Sequence, residues 1–146
     1  MKISTKGRYA LRFLYYLATH EDQGYISLKV IAEEEEISKK YLEQIVPILN
    51  KTDILLTNRG FQGGYKLGRP ASSITVGEVL KITEGSLSPV ACISTNGNVN
   101  CPRNTFCPTL PIWTGLNKVI NEYLDGITIQ DIIEQYSTLE SNNYMI

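Results

Sequence analysis

The most constraining stretch of this chain runs from Ser27 to Leu67. Ser27 has the side chain of an N-cap and opens a short helix carrying Leu28, Val30, Ile31 and Ala32. After the acidic run Glu33-Glu34-Glu35-Glu36 and Ile37, Ser38 caps a second helix. That helix places Leu42, Ile45, Val46 and Leu49 at i, i+3, i+4 and i+7, so one face packs while Lys39, Lys40, Glu43 and Gln44 face elsewhere. Pro47 removes the N–H that would bond to the Glu43 carbonyl, which predicts a kink or an early end. Next, Ile54-Leu55-Leu56-Thr57 and Tyr65-Lys66-Leu67 flank the glycine-rich turn Asn58-Arg59-Gly60-Phe61-Gln62-Gly63-Gly64, the pattern of a β-hairpin. A glycine-rich phosphate loop needs a helix after the loop, and a second strand follows here, so a nucleotide site is discounted. Short helix, tight connection, amphipathic helix and hairpin, in that order, describe a winged helix-turn-helix.

The remainder is mainly helical, which makes the fold class mainly α with one small β-hairpin. The chain has 146 residues, enough for one core with an accessory segment. Ser4 to about His20 reads as a helix buried on more than one side, ended by Gly24. Thr75 and Glu78 have capping-box spacing and open a helix with Val79, Leu80 and Ile82. Residues 85–111 are rich in Gly, Pro, Ser, Asn and Thr, and they hold all three cysteines. Trp113, Leu116, Val119, Ile120, Tyr123, Leu124 and Ile127 then form a helical stripe, and Thr128 with Asp131 caps a last short helix that leaves a loose tail. No apolar run is long enough to span a membrane, and the N-terminus enters a helix without a secretory h-region, so a cytoplasmic location is expected.

Charge is divided unevenly. Residues 1–69 hold 11 Lys and Arg against 8 Asp and Glu, net +3, whereas residues 70–146 hold 3 against 7, net −4. A basic first half built as a winged helix fits double-stranded DNA. An α-helix enters the major groove and its first turns reach base edges, which assigns Ser38, Lys39, Lys40, Tyr41, Glu43 and Gln44 as the reading surface. Gln44 suits adenine and Glu43 cytosine, while Lys39 and Lys40 suit phosphates. Arg59 at the hairpin tip suits a narrow minor groove, and Lys2 and Arg8 add cations at the N-terminus.

Several motifs carry a family resemblance: Met1-Lys2-Ile3-Ser4-Thr5-Lys6-Gly7-Arg8-Tyr9-Ala10, Ile37-Ser38 through Tyr41-Leu42-Glu43-Gln44, Arg59-Gly60 with Gly63-Gly64-Tyr65, and Ile74-Thr75-Val76-Gly77-Glu78-Val79. Together they resemble the Rrf-type winged-helix regulators, which include the IscR, NsrR and CymR groups of bacterial transcription factors. The resemblance covers residues 1 to about 135. It implies a repressor, not an enzyme, that binds a pseudo-palindromic operator as a homodimer paired through a long C-terminal helix. It divides the chain into a DNA-binding domain at 1–84, a cysteine loop at 85–111, dimerisation and terminal helices at 112–136, and a tail at 137–146.

Cys92, Cys101 and Cys107 are spaced C-x8-C-x5-C in that loop. Three is an odd number for disulfides, paired zinc-type spacing is absent, and soft thiolates in a mobile loop suit iron and sulfur. Cluster-binding members of the family carry three cysteines in this loop, so the resemblance implies an iron-sulfur cluster on Cys92, Cys101 and Cys107. The fourth ligand stays open. The IscR group has a histidine where this chain has Leu110, and the NsrR group has an aspartate where it has Arg8. The Lys6-Gly7-Arg8-Tyr9 start and Glu43 lean towards the IscR group, which favours a 2Fe-2S cluster over a 4Fe-4S one and genes of cluster assembly or redox stress. A nitric-oxide sensor of the NsrR kind and a cluster-free, CymR-like repressor of cysteine metabolism are the alternatives. His20, the one histidine, reads as an ordinary helix-end residue.

Overall fold

The computed structural model describes residues 1–144. Helix α1 (Thr5–Thr19) is the hub, burying Ala10, Phe13, Leu14, Tyr16 and Leu17 against the elements around it. Ser4 caps it, its Oγ accepting from the Gly7 N–H at 3.2 Å and donating to Glu84 at 2.7 Å. Helices α2 (Leu28–Glu34) and α3 (Lys39–Leu49) follow, joined by a turn in which Glu36 takes a left-handed φ of 52°. Ser27 caps α2 through the Val30 N–H. Ser38 holds the cap position of α3, but its hydroxyl makes no capping bond; its carbonyl accepts from Tyr41 and Leu42 instead. Helix α3 runs past Pro47 for two residues and stops at Leu49, so the proline falls in the last turn.

Strands β1 (Leu55–Asn58) and β2 (Gly64–Leu67) pair antiparallel, Leu55 opposite Leu67 and Asn58 opposite Gly64. Ile26 adds a one-residue bridge to Tyr65 on the other edge of β2, with bonds of 2.9 and 2.8 Å. A side chain at Gly64 would run into the Ile26 backbone, which is why a glycine starts this strand. Arg69 fixes the base of the hairpin, binding Asp53 at 3.1 Å, the Ser73 carbonyl at 2.7 Å and the Glu78 carboxylate of helix α4 (Val76–Glu84). Thr75 caps α4 by accepting from the Glu78 N–H, but the Glu78 side chain turns to Arg69, so the expected reciprocal half of the capping box is missing.

Helix α5 (Leu110–Asp125) begins before the proline rather than after it, with Pro111 in the first turn, where its missing N–H costs nothing. Helix α6 (Ile129–Asn143) carries the complete capping box: Thr128 Oγ1 accepts from the Asp131 N–H at 3.1 Å and Asp131 accepts from the Thr128 N–H at 2.8 Å. These bonds hold the Asp131 carboxyl below its ordinary value. At 15 residues α6 is not short, and it occupies most of the expected tail. Tyr136 and Leu139 continue the helical spacing of Ile129, Ile132 and Ile133, and residues 134–143 contain neither Gly nor Pro. Residues 145–146 of that tail lie outside the described residues.

Candidate nucleic-acid interface and cysteine loop

An open groove separates α3 from the hairpin. Its walls include Ser27, Lys29, Lys39, Glu43, Pro47, Asn50, Thr57, Asn58, Arg59 and Gly60. Of the residues expected to read DNA, Lys39, Glu43 and Arg59 line this groove. Ser38, Lys40 and Gln44 are exposed on α3 beyond its lining. Tyr41 is half-buried, its ring edge-on to Tyr9 at 5.3 Å between centroids, which makes it a packing residue of the α1–α3 contact as well. Lys2 and Arg8 are exposed at the start of α1 and do not line the groove; Arg8 donates to Thr5 at 3.1 Å. Lys39 and Glu43 stand 3.9 Å apart on exposed surface, a pair too weakly held to keep either from a ligand.

Residues that the sequence did not mark as DNA contacts complete the groove. Ser27 and Lys29 sit at the N-terminal end of α2, and Thr57 Oγ1 donates to Asn50 Oδ1 at 2.7 Å, tying β1 to the end of α3. The available signal was the polar pair Thr57-Asn58 at the end of a strand in which Leu55 alone is buried.

The cysteines lie on a segment folded back on itself. Asn100 N–H donates to the Cys92 carbonyl at 2.8 Å, and Ile93 bridges Val99. All three thiols are free and half-buried. Cys107 Sγ is 3.4 Å from Thr109 Oγ1; that bond, with help from Arg103, draws its thiol below the ordinary value. The donor set fits iron in kind, but among the described residues no three His, Cys, Asp or Glu side chains stand together as a metal site, so binding requires the loop to close. His20 is engaged elsewhere: its ring stacks on Tyr16 at 4.0 Å, and Nδ1 lies 2.8 Å from the Tyr16 carbonyl, a bond that puts the proton on Nδ1.

The cysteine loop is latched to α5. Asn117 is 4% exposed, the one buried polar side chain among the described residues, and it donates to the Thr95 carbonyl at 3.2 Å. Thr95 Oγ1 in turn accepts from the Leu87 N–H at 3.0 Å, and Leu87 is fully buried against Val76 and Leu80. Asn121 Nδ2 also reaches the Thr95 carbonyl, at 3.4 Å, so replacing Asn117 by alanine should cost about 0.5–1.5 kcal/mol, the worth of the shorter of two bonds to a half-buried carbonyl. Chemical denaturation reads the loss, and amide exchange should quicken first at residues 92–100.

Helix α5 has two faces of different character. Leu124 packs inward on the α4 cluster together with Ile127, whereas Ile112, Leu116, Val119 and Tyr123 are 60%, 40%, 61% and 67% exposed. The apolar stripe read from the sequence therefore divides between an inner and an outer face.

A family model described as "Iron-dependent Transcriptional regulator", named Rrf2, matches residues 3–135. The chain belongs to the Rrf2 family. It is 34% identical over 140 residues to the HTH-type transcriptional regulator IscR of Vibrio campbellii, an alignment covering 96% of this chain and 82% of that one. Among solved structures it is similar to T. potens IscR, with a TM-score of 0.73, 36% identity and coverage of 93% and 88%. CymR of B. subtilis, described as a global cysteine regulator, gives a TM-score of 0.74 at 34% identity, covering 92% of this chain and 98% of that one. The winged-helix fold and the role of transcriptional regulator rather than enzyme follow. No helix among the described residues is long and apolar enough to cross a membrane.

Proposed function

We propose that this Rrf2 regulator is a homodimeric repressor that reads a pseudo-palindromic operator and is controlled by an iron-sulfur cluster held by Cys92, Cys101 and Cys107. The observation that carries the DNA reading is the groove between α3 and the hairpin, with Lys39 and Glu43 on one wall and Arg59 on the other. In this reading the first turns of α3 enter the major groove, Ser38 and Lys40 meet phosphates beside Lys39, and Gln44 pairs with an adenine edge. Arg59 follows the minor groove. Lys2 and Arg8 add general attraction from the start of α1. The cluster reading rests on three free thiols confined to one loop that is tied to α5. A bound cluster would supply sensitivity to oxidants; the chain's part is to present three soft ligands and to transmit the shape of the loop to α5. Control of genes for cluster assembly or redox stress is the regulatory role this arrangement suits.

The decisive test is operator binding by substituted proteins at fixed salt. Gln44→Ala should relax preference at one base pair, at about 1–3 kcal/mol. Lys39→Ala should weaken all sequences alike and lower the salt slope by about one unit per subunit. Unchanged affinity in both Gln44→Ala and Arg59→Ala would rule out this surface.

A further inference from the structure

Phe61 is fully exposed at the tip of the hairpin, its relative exposure reaching 105%. A lone exposed aromatic ring is unremarkable on a flexible loop. This turn, however, is tightly built. Gly63 N–H donates to the Gly60 carbonyl at 3.0 Å, so Phe61 and Gln62 are the two central residues of a closed turn. Gly60 has a φ of 118°, which side-chain-bearing residues rarely adopt, and a side chain at Gly63 would run into the Asn58 carbonyl. The turn thus permits side chains only at its apex. The surroundings indicate what the ring meets. From Ile54 to Gly68 the chain carries Arg59 and Lys66 and no carboxylate. A rigid apolar tip on a basic two-stranded arm, with Arg59 two residues before it, complements a polyanion whose interior is stacked and apolar.

We propose that Phe61 is a minor-groove wedge, its ring inserting at a base step beside the position occupied by Arg59 and kinking the duplex towards the major groove. The inference rests on the DNA reading above. It adds a source of sequence preference that makes no hydrogen bond, since pyrimidine–purine steps unstack more readily than others. The site under the wing should therefore favour a TA or CA step even though no donor or acceptor of Phe61 reads it.

The test uses the full chain and a duplex that the protein itself selects from a random-sequence library, with 2-aminopurine placed at each step under the wing in turn. Wild type should bend the duplex and raise 2-aminopurine emission at one step in each half-site. Phe61→Ala should lose that emission, reduce the bend by roughly 20° or more and bind about tenfold more weakly, with an unchanged salt slope because no charge is lost. Phe61→Leu should keep part of the bend, which separates a wedge from a general disturbance of the turn. Arg59→Ala should instead lower the salt slope by about one unit per subunit. If Arg59→Ala weakens binding while Phe61→Ala keeps the wild-type bend and emission, the wedge is refuted and the DNA reading stands. If both variants bind as wild type does, the wing itself is not a DNA contact. Wild-type bending together with altered self-association of Phe61→Ala would place the ring at a protein contact and overturn the proposal.

Discussion

Glutamate at both Leu116 and Val119 should convert a dimeric protein into a folded monomer, seen as a halved mass in sedimentation equilibrium with an unchanged far-UV spectrum. Helix α5 is amphipathic on both sides. Leu124 and the buried Asn117 hold it to the rest of the chain, which leaves Ile112, Leu116, Val119 and Tyr123 in a row on the outer face. Those spacings, 4, 3 and 4 residues, follow one helical stripe, and a stripe of large apolar side chains is costly to leave in water. A two-fold contact would cover the same row on both subunits. Each glutamate would place a charge in that contact, and two charges per subunit meeting their symmetry mates should abolish association at micromolar concentration. Because both side chains are exposed in the single chain, the monomer's own core should be untouched. Operator affinity should fall by roughly a hundredfold or more, since two linked recognition helices bind far better than one. A wild-type protein that is monomeric at micromolar concentration would defeat this account.

The winged-helix half was legible because its signals are local. The period of Leu42, Ile45, Val46 and Leu49 fixes which face of α3 is buried, so the exposure of Lys39, Lys40, Glu43 and Gln44 follows from the same arithmetic. The glycines of the hairpin state a backbone requirement directly, as the φ of Gly60 and the crowding at Gly63 and Gly64 demonstrate. Where a side chain had a choice of partners, local pattern misled. Glu78 has the spacing of a capping box, yet an Arg69 nine residues earlier offers a cation and takes it. Tyr41 was expected to read DNA from α3, but half of it is committed to Tyr9 of α1, a contact that no spacing within α3 announces. The extent of α6 was missed because its second half is polar, so its helix propensity is unaccompanied by a buried stripe.

The segment from 85 to 109 was the least legible, for a physical reason. It has no period, and it is organised by single residues: Leu87 and Ile93 are buried as isolated plugs, while Thr95 is held by Asn117 from 22 positions away. Such contacts depend on where α4 and α5 lie in space and leave no repeating trace in sequence. The cysteines alone were conspicuous. Their chemistry was readable, whereas the latch that ties their loop to α5 became visible only with the fold.

That latch shapes the last expected result. Serine at any one of Cys92, Cys101 or Cys107 should abolish the visible absorption of anaerobically reconstituted protein and lower its iron content, while dimer mass and the thermal stability of the cluster-free protein stay as they were. Serine keeps the size of cysteine but offers a harder, far less acidic oxygen, so a soft-metal site loses a ligand without a hole opening in a core. None of the three side chains is fully buried, and the nearest plugs, Leu87 and Ile93, are held by residues that serine substitution does not touch. The effect should therefore stay in the loop. If the loop controls DNA binding as proposed, its route to α5 is Thr95, which lies between Cys92 and Cys101 and whose carbonyl accepts from Asn117 and Asn121: a rearrangement of the loop that shifts Thr95 would move or release those bonds. Asn117→Ala combined with Asn121→Ala should accordingly leave iron content intact while making operator affinity indifferent to whether the protein has been reconstituted. A triple-serine variant with the iron content and spectrum of wild type would remove the cysteines from the site. If the single-serine variants lose iron but reconstitution never alters operator affinity in wild type, the cluster is not the signal.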